Sequence, residues 1–588
     1  MPFPSCPYAA IRICDSLICS VVSPTTDLAM PDSTASSSPG AVDWSDSGPR
    51  RIDPPTGEVL DPRVARLLGW AAHGVVLTIC VAALPTVAQG YPTSDGVSYM
   101  SLAEHWANGR FGLALNGFWS PLLPLLLAPC ALLGLPLLLS AQLVMIATGL
   151  FAISRLKALM RVVGFDTLAD DFLVIGAAPL IAYASISLIT PDLLMAALLM
   201  GYLTTMLDRS MMTPTRRGLV AGLWAGGAFL AKSYALPFVI AHLAISLLVR
   251  TIRRADLRPR FAFSGVAAAS LILVVSAWAI PLSVSYGRPT VATTAAYHVE
   301  ITEQGAPGNA FLWAGLLPPS NDFAISAWED PAALPTSRSS ESAVDVGVGD
   351  DGTAPSAVAD RLRRVGGSLR VTLVAGGLMG LTALFGTVSM LWWLVSRRPR
   401  RPVREAAPDP FVDIVLAVAV YVGGLSLLVV ETRYLWLPLM LTVPCAAWGI
   451  RRVLLNAPLV PARILAGVIA AASIAGPAVG ISRVLDKASQ QRETLALVDE
   501  WVDSGDRLAS SRSALSLAPG LCEANGCTYW GAANSSTADD LGDRLDALGI
   551  DVFLRFGDDP FDAAAAELVL SSPERQLRVY EITPSSAD

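Results

Sequence analysis

Four charged side chains stand at the margins of long apolar runs: Asp95, Asp192, Lys232 and Arg433, in GYPTSDGVSY, ITPDLLMAALL, FLAKSYALPF and VVETRYLWLPL. A carboxylate near hydrocarbon costs roughly 2.5–3.5 kcal/mol on insertion scales, so such groups usually face a cavity or a partner. Gathered in one place, these four suit one kind of chemistry, the movement of a group from a phosphate to a hydroxyl. Lys232 and Arg433 would clamp the phosphate, one as a point charge and the other as a bidentate fork. They would also stabilise the charge that develops as the phosphate departs. One carboxylate would take the proton of the attacking hydroxyl. Each residue also has a plainer reading. Asp95 and Asp192 suit helix N-caps, Lys232 suits a side chain snorkelling to an interface, and Arg433 suits a structural clasp with Glu431.

The elements that must position them are membrane helices. Hydrophobic residues make up 53% of the 588 residues and charged ones only 15%, against about 25% charged in soluble domains. An ordinary soluble enzyme is thereby excluded. Acidic residues outnumber basic ones, 49 to 42, for a net charge of −7, which excludes the basic footprint of a nucleic-acid binder. Apolar blocks long enough to cross a bilayer lie near 66–88, 136–156, 171–189, 193–208, 218–232, 235–250, 261–284, 369–395, 411–430, 435–450 and 457–480. The fold class is therefore a polytopic α-helical membrane protein of about 11 (11–13) transmembrane helices. The segment 119–134, short and broken by Pro121, Pro124 and Pro129, reads as a re-entrant or interfacial piece or as a separate span.

Basic clusters at Arg155/Lys157/Arg161, Arg209/Arg216/Arg217, Arg250–Arg260, Arg397–Arg404 and Arg451/Arg452 fall on one side if 119–134 does not cross. The positive-inside rule makes that side cytoplasmic. The chain then sits multi-pass in the plasma membrane with its N-terminus inside and its C-terminal part extracytoplasmic. The four chemical residues share the outer face with loops 89–118 and 285–368.

Residues 1–62, rich in Ser, Pro and Asp, read as a disordered extension, and Met30 is an alternative start. Residues 63–484 form the transmembrane domain. Residues 485–588 form a small α/β domain, with strands at Arg507–Ser510, Asp551–Arg555 and Arg578–Ile582 alternating with helices at Thr537–Leu548 and Pro560–Leu570. TYWGAAN (Thr528–Asn534) reads as a core strand with its turn. Cys522 and Cys527 are placed for a disulfide on an oxidising side, or else stay as two thiols. Phosphate-cradling glycine motifs, HExxH and clustered histidines do not occur, so neither nucleotide-driven transport nor a transition-metal site has support. After Asp95, the residues Tyr99, Leu102, Ala103 and Trp106 fall on one side of a helix, as in an amphipathic helix lying along the interface.

The order of these motifs resembles the GT-C superfamily of membrane glycosyltransferases, in particular its protein O-mannosyltransferase, aminoarabinose-transferase and RgtA/B/C/D-like branch. The resemblance is carried by Ser94-Asp95-Gly96 with Tyr99, Ser120-Pro121-Leu122, Thr190-Pro191-Asp192, Ala231-Lys232-Ser233-Tyr234 and Glu431-Thr432-Arg433-Tyr434, over about residues 65–480. It implies a polyprenyl-phosphate-linked sugar as donor, inverting transfer by direct displacement, and Asp95 as the base. Asp192 joins it as a catalytic candidate. Lys232, Tyr234, Arg433, Tyr99 and His298 are the substrate-binding candidates. His298, in AAYHVEITEQG, equally fits an exposed polar loop. Gly96 stands where many relatives carry a second acid, and Trp119-Ser120-Pro121 where a double proline is common. The residues fix no cofactor. A divalent cation shared by Asp95 and Asp192 is conceivable from their hard oxygen ligands, with an incomplete ligand set. The acceptor is a cell-envelope glycan, lipid or protein. Two other classes compete, a transporter or flippase of lipid-linked saccharide and an inactive membrane scaffold. A transporter favours related halves and polar groups near the midplane, which this sequence does not display.

Overall fold

The computed structural model describes residues 62–294 (apart from 166, 209–212, 253–257 and 288), 377, 380–392, 410–426, 431–453 and 459–533 (apart from 512–513 and 515–516). It further describes 542, 545–546, 549–556 and 566–582. The N-terminal extension up to residue 61, most of loop 285–368 with His298, and most of the expected helix Thr537–Leu548 lie outside the described residues.

In chain order the helices are α1 (Pro62–Val87), α2 (Ser94–Ala107), α3 (Phe111–Ala114), α4 (Leu122–Leu132), α5 (Leu137–Val162), α6 (Leu168–Ser187) and α7 (Asp192–Leu207). They continue with α8 (Pro214–Ala231), α9 (Ala235–Ile252), α10 (Arg258–Tyr286), α11 (Gly380–Trp392), α12 (Pro410–Leu425), α13 (Trp436–Val453), α14 (Leu459–Ala472) and α15 (Ala475–Val498). Five stretches among the described residues are long and apolar enough to cross a membrane: Gly69–Val87, Leu137–Val162, Leu168–Ser187, Pro259–Ser285 and Pro461–Val498. Shorter apolar helices include Asp192–Leu207, Ala235–Val249, Gly380–Trp392 and Phe411–Leu425. α4, at eleven residues, spans only about 16 Å, half of a hydrocarbon core, so it does not cross by itself.

α8 and α10 meet along a stripe of glycines. A Cβ at Gly218, Gly222 or Gly226 would run into Phe263, Ala267 and Ser270, or Val274 of α10. Four-residue spacing puts all three on one face, and their missing side chains let the backbones close up, as membrane helices do in place of a hydrophobic drive.

The chain reverses at the end holding 88–136, 188–191, 232–234 and 431–435, and again at the opposite end. Arg161 in the last turn of α5, Arg216 and Arg217 in the first turn of α8, and Arg451 and Arg452 in the last turn of α13 all belong to that opposite end.

The last expected span, 457–480, is broken after Ala472. α15 then runs unbroken across the expected domain boundary near 485 into the C-terminal domain. There β1 (Arg507–Ser511), α16 (Ala518–Asn525), β2 (Thr528–Ala533), β3 (Val552–Phe556), β4 (Ala566–Ser572) and β5 (Leu577–Ile582) form a sheet of order β2-β1-β3-β5-β4. β1 is parallel to both β2 and β3, and the pairs β3–β5 and β5–β4 are antiparallel. Side chains alternate between two cores, one with Leu508, Val552, Leu554 and Val579, the other with Ala509, Phe553 and Tyr580. Cys522 and Cys527 are joined by a disulfide, and Thr528–Ala533 is a strand as expected. The helix expected over Pro560–Leu570 is corrected in its second half. Residues 566–570 belong to β4, where Leu568 and Leu570 pair with Tyr580 and Val579. The alanine-rich lead favours helix locally, but cross-strand pairing with β5 outweighs propensity.

Candidate active site

The site is assembled from four chain reversals at one end of the bundle. Asp95 lies in the first turn of α2, one residue inside Ser94, while Thr93 is the N-cap. Asp192 is the first residue of α7, after the N-cap Pro191. Neither carboxylate caps its own helix as the plainer reading supposed, yet both lie in a first turn, where the helix dipole favours negative charge. Lys232 is not a snorkelling residue within a helix. It terminates α8 in an extended conformation, in the break before α9. Arg433 sits in a single 3-10 turn, Thr432–Leu435, leading into α13.

These reversals bring the four together as two ion pairs. Arg433 Nη1 donates to Asp95 Oδ2, and Lys232 Nζ donates to Asp192 Oδ1. The pairs span 338 and 40 residues of chain and are joined by one aromatic ring. Lys232 Nζ lies 4.1 Å from the centroid of Tyr434 and Arg433 Cζ 5.4 Å from it. Arg433 also engages Glu431, Nη2 to Oε1 at 3.1 Å. Its Nε lies 2.9 Å from Oε2 of the same carboxylate, at an angle that leaves that N–H without a well-aligned acceptor. The clasp reading of Arg433 is therefore half of what it does.

Burial sets the electrostatics. The Asp192 side chain is fully enclosed and its Oδ2 has no hydrogen-bond partner. Leaving a buried carboxylate oxygen unpaired costs free energy of about 1–3 kcal/mol or more. A bound group that donates to Oδ2 would recover it. The Asp95 and Arg433 side chains are about one-eighth exposed, and Glu431, at the rim, about half exposed.

Gly96 explains how the two carboxylates come close. A Cβ there would meet Pro92 Cβ at 3.2 Å and Ile189 Cβ at 3.4 Å. Its missing side chain thus lets the start of α2 lie against the Thr190-Pro191-Asp192 turn. Tyr99 is buried on the same helix, edge-on to Trp119 with centroids 5.1 Å apart, within electrostatic reach of Asp95, Asp192 and Arg433. Leu102 and Ala103 are buried beside it, along the face the sequence pattern defines. Tyr234 does not present its hydroxyl to the site. It donates to the Tyr421 carbonyl at 2.7 Å, and the Tyr421 hydroxyl donates to the Tyr434 carbonyl at 3.0 Å. This relay fixes the Arg433-Tyr434 turn from below. Tyr421 escapes sequence reading because one tyrosine in an apolar span carries no local signal.

Two carboxylates, each engaged by a cationic side chain, fall short of the six or more oxygens a hard divalent ion takes. Among the described residues no cluster of three or more His, Cys, Asp or Glu side chains forms.

Among solved structures the chain is similar to ArnT from Cupriavidus metallidurans bound to undecaprenyl phosphate, at 13% identity and a TM-score of 0.53, covering 88% of this chain and 98% of that one. The carrier-free ArnT structure matches equally, with the same coverage and TM-score. The chain shares the fold of these ArnT structures. Archaeal AglB from Archaeoglobus fulgidus, in complex with an inhibitory peptide and a dolichol-phosphate, is similar at 12% identity and a TM-score of 0.46, over 82% of this chain and 69% of that one. No protein-family model and no curated relative matches the chain.

Proposed function

We propose that this membrane protein is a glycosyltransferase that moves a sugar from a polyprenyl-phosphate donor to a hydroxyl of a cell-envelope acceptor, with inversion, at the outer membrane face. The observation that carries the reading is the pair of ion pairs, Asp95–Arg433 and Asp192–Lys232, that share the Tyr434 ring. The ArnT structure bound to undecaprenyl phosphate supports the class of donor. Basic residues at the turns of the opposite end support an extracytoplasmic site, with about eleven crossings and the C-terminal domain outside.

The ion pairs balance charge before the donor arrives. A donor phosphate competes for Lys232 and Arg433, whose attraction to an anion is strong in this enclosed setting. Asp95 and Asp192 are thereby released from their partners. The acceptor hydroxyl oxygen attacks the anomeric carbon of the sugar. The bond from that carbon to the phosphate oxygen breaks, and polyprenyl phosphate leaves with the electron pair. Lys232 and Arg433 stabilise its growing charge. The hydroxyl proton passes to the Asp95 carboxylate, so atoms and charge balance and no nucleotide is consumed. Asp192 holds Lys232 in place until the donor phosphate takes it over, and its unpaired Oδ2 is available to accept from a sugar hydroxyl.

The test is transfer by protein purified in detergent, from synthetic polyprenyl-phosphate sugars to membrane extract, with Asp95→Asn beside wild type. Labelled product from wild type alone supports the reading. Equal product from both moves the base elsewhere, and no product across a donor panel favours transport or scaffolding.

A further inference from the structure

The C-terminal domain grips the chain just before Asp95. Tyr91 packs against that domain's own core, a cluster that includes Val498, Val502, Ala518 and Leu521. Gly520, in α16, lies so close to the next residue that a Cβ on it would collide with the Pro92 carbonyl oxygen and stand 2.8 Å from Tyr91 Cδ2. Arg492 of α15 donates to Gln89 Oε1 at 3.1 Å, and Gln491 lies against Gly90. Residues 89–92 are thus held from two elements of the tail, and α16 is itself tied to the start of β2 by the Cys522–Cys527 disulfide. Pro92 in turn touches Gly96, and Thr93 caps α2. Only Thr93 and Ser94 stand between the gripped Pro92 and Asp95.

We infer that the C-terminal domain is a brace that sets the position of Asp95, with Gly520 and Tyr91 as its positioning residues. The inference rests on the proposed role of Asp95 for its effect on transfer, though not for its effect on structure. Neither residue touches the ion pairs, so each acts through the 89–96 segment. Chemistry at a carboxylate tolerates little displacement, since about 1 Å of misplacement can cost about 100-fold in rate.

The test uses the full chain in detergent, as wild type, Gly520→Val, Tyr91→Ala and the milder Arg492→Ala. Amide hydrogen exchange is read over α2 and over α7 as an internal reference, and transfer and undecaprenyl-phosphate binding are measured alongside. The brace predicts exchange over residues 94–107 at least about tenfold faster in Gly520→Val and Tyr91→Ala, with α7 unchanged, because local opening is set by local contacts. It predicts kcat lower by about 10–100-fold with donor KM and carrier affinity within about twofold, and a smaller change in the same direction for Arg492→Ala. Unchanged exchange over α2 in both stronger variants overturns the inference. Protection lost evenly over α2 and α7 overturns it too, because the domain then stabilises the bundle at large. If wild type transfers no sugar, the transfer reading falls, and the exchange result alone upholds or overturns the brace.

Discussion

The two ends of the helix bundle both carry buried carboxylates on cationic side chains, and they differ in how completely those groups are satisfied. At the end away from the site, Asp170 Oδ2 accepts from Thr167 N at 2.9 Å, Thr167 Oγ1 at 2.6 Å and Arg451 Nη2 at 2.6 Å. Arg451 also donates to the Gly164 carbonyl and lies over the Phe165 ring. Nearby, Lys157 pairs with Asp171 at 3.1 Å and donates to the Gly69 carbonyl. At the site end, Asp192 keeps one enclosed oxygen without a partner, and Arg433 divides itself between two carboxylates. Saturated charge fastens helices together, whereas unsaturated charge held in place by its surroundings is available to a ligand. Both look alike in sequence.

The largest effect that would break this contrast is on turnover. Asp95→Asn is expected to lower transfer by about 10²–10⁴-fold, the range of a positioned general base, with thermal stability close to wild type. Arg433→Lys keeps the charge but loses the fork and is expected to raise donor KM and lower kcat together, read from initial rates over a donor series. At the saturated end, Asp170→Ala is expected to remove a capping box and an ion pair, costing about 1–2 kcal/mol of stability in thermal unfolding while leaving kcat within about twofold. A large loss of turnover without loss of stability there would erase the distinction between the two ends.

A smaller effect concerns the tail. Replacing both Cys522 and Cys527 by Ser is expected to destabilise the C-terminal domain by about 2 kcal/mol, the loop entropy of so short a closure, seen as a lower unfolding midpoint. The same domain also responds to pH. Burial, with help from the Glu104 carboxylate, pushes Glu523 up from 4.5 to about 7. The folded domain therefore binds this proton more tightly than the unfolded chain. Its stabilising share is complete below about pH 4.5 and is lost as pH rises through 7. Unfolding midpoints measured from pH 5 to 8 are expected to fall for wild type and to flatten in Glu523→Gln.

Much of the architecture was legible in the sequence because hydrocarbon imposes long apolar blocks, and Asp95, Asp192, Lys232 and Arg433 stood out by interrupting them. Their order along the chain pointed to the fold. The Gly218–Gly222–Gly226 stripe was overlooked, although its four-residue spacing marks one helix face. Other features were not legible. Tyr421 acts through hydroxyl and carbonyl contacts that only the folded chain defines. Gly96 looked like a departure from a family pattern and is instead the space in which two turns meet. The alanine run before β4 carries a helical propensity that says nothing of the β5 edge nearby. The grip of Gly520 on Pro92 joins residues more than four hundred positions apart, which no local pattern records.

The most direct measurement is sugar transfer from a defined polyprenyl-phosphate sugar by the purified full chain, with Asp95→Asn and Asp170→Ala run beside wild type. Product from wild type and Asp170→Ala, with almost none from Asp95→Asn, is the predicted result. Equal turnover by wild type and Asp95→Asn would contradict the assignment of the base to the unsaturated end of the bundle.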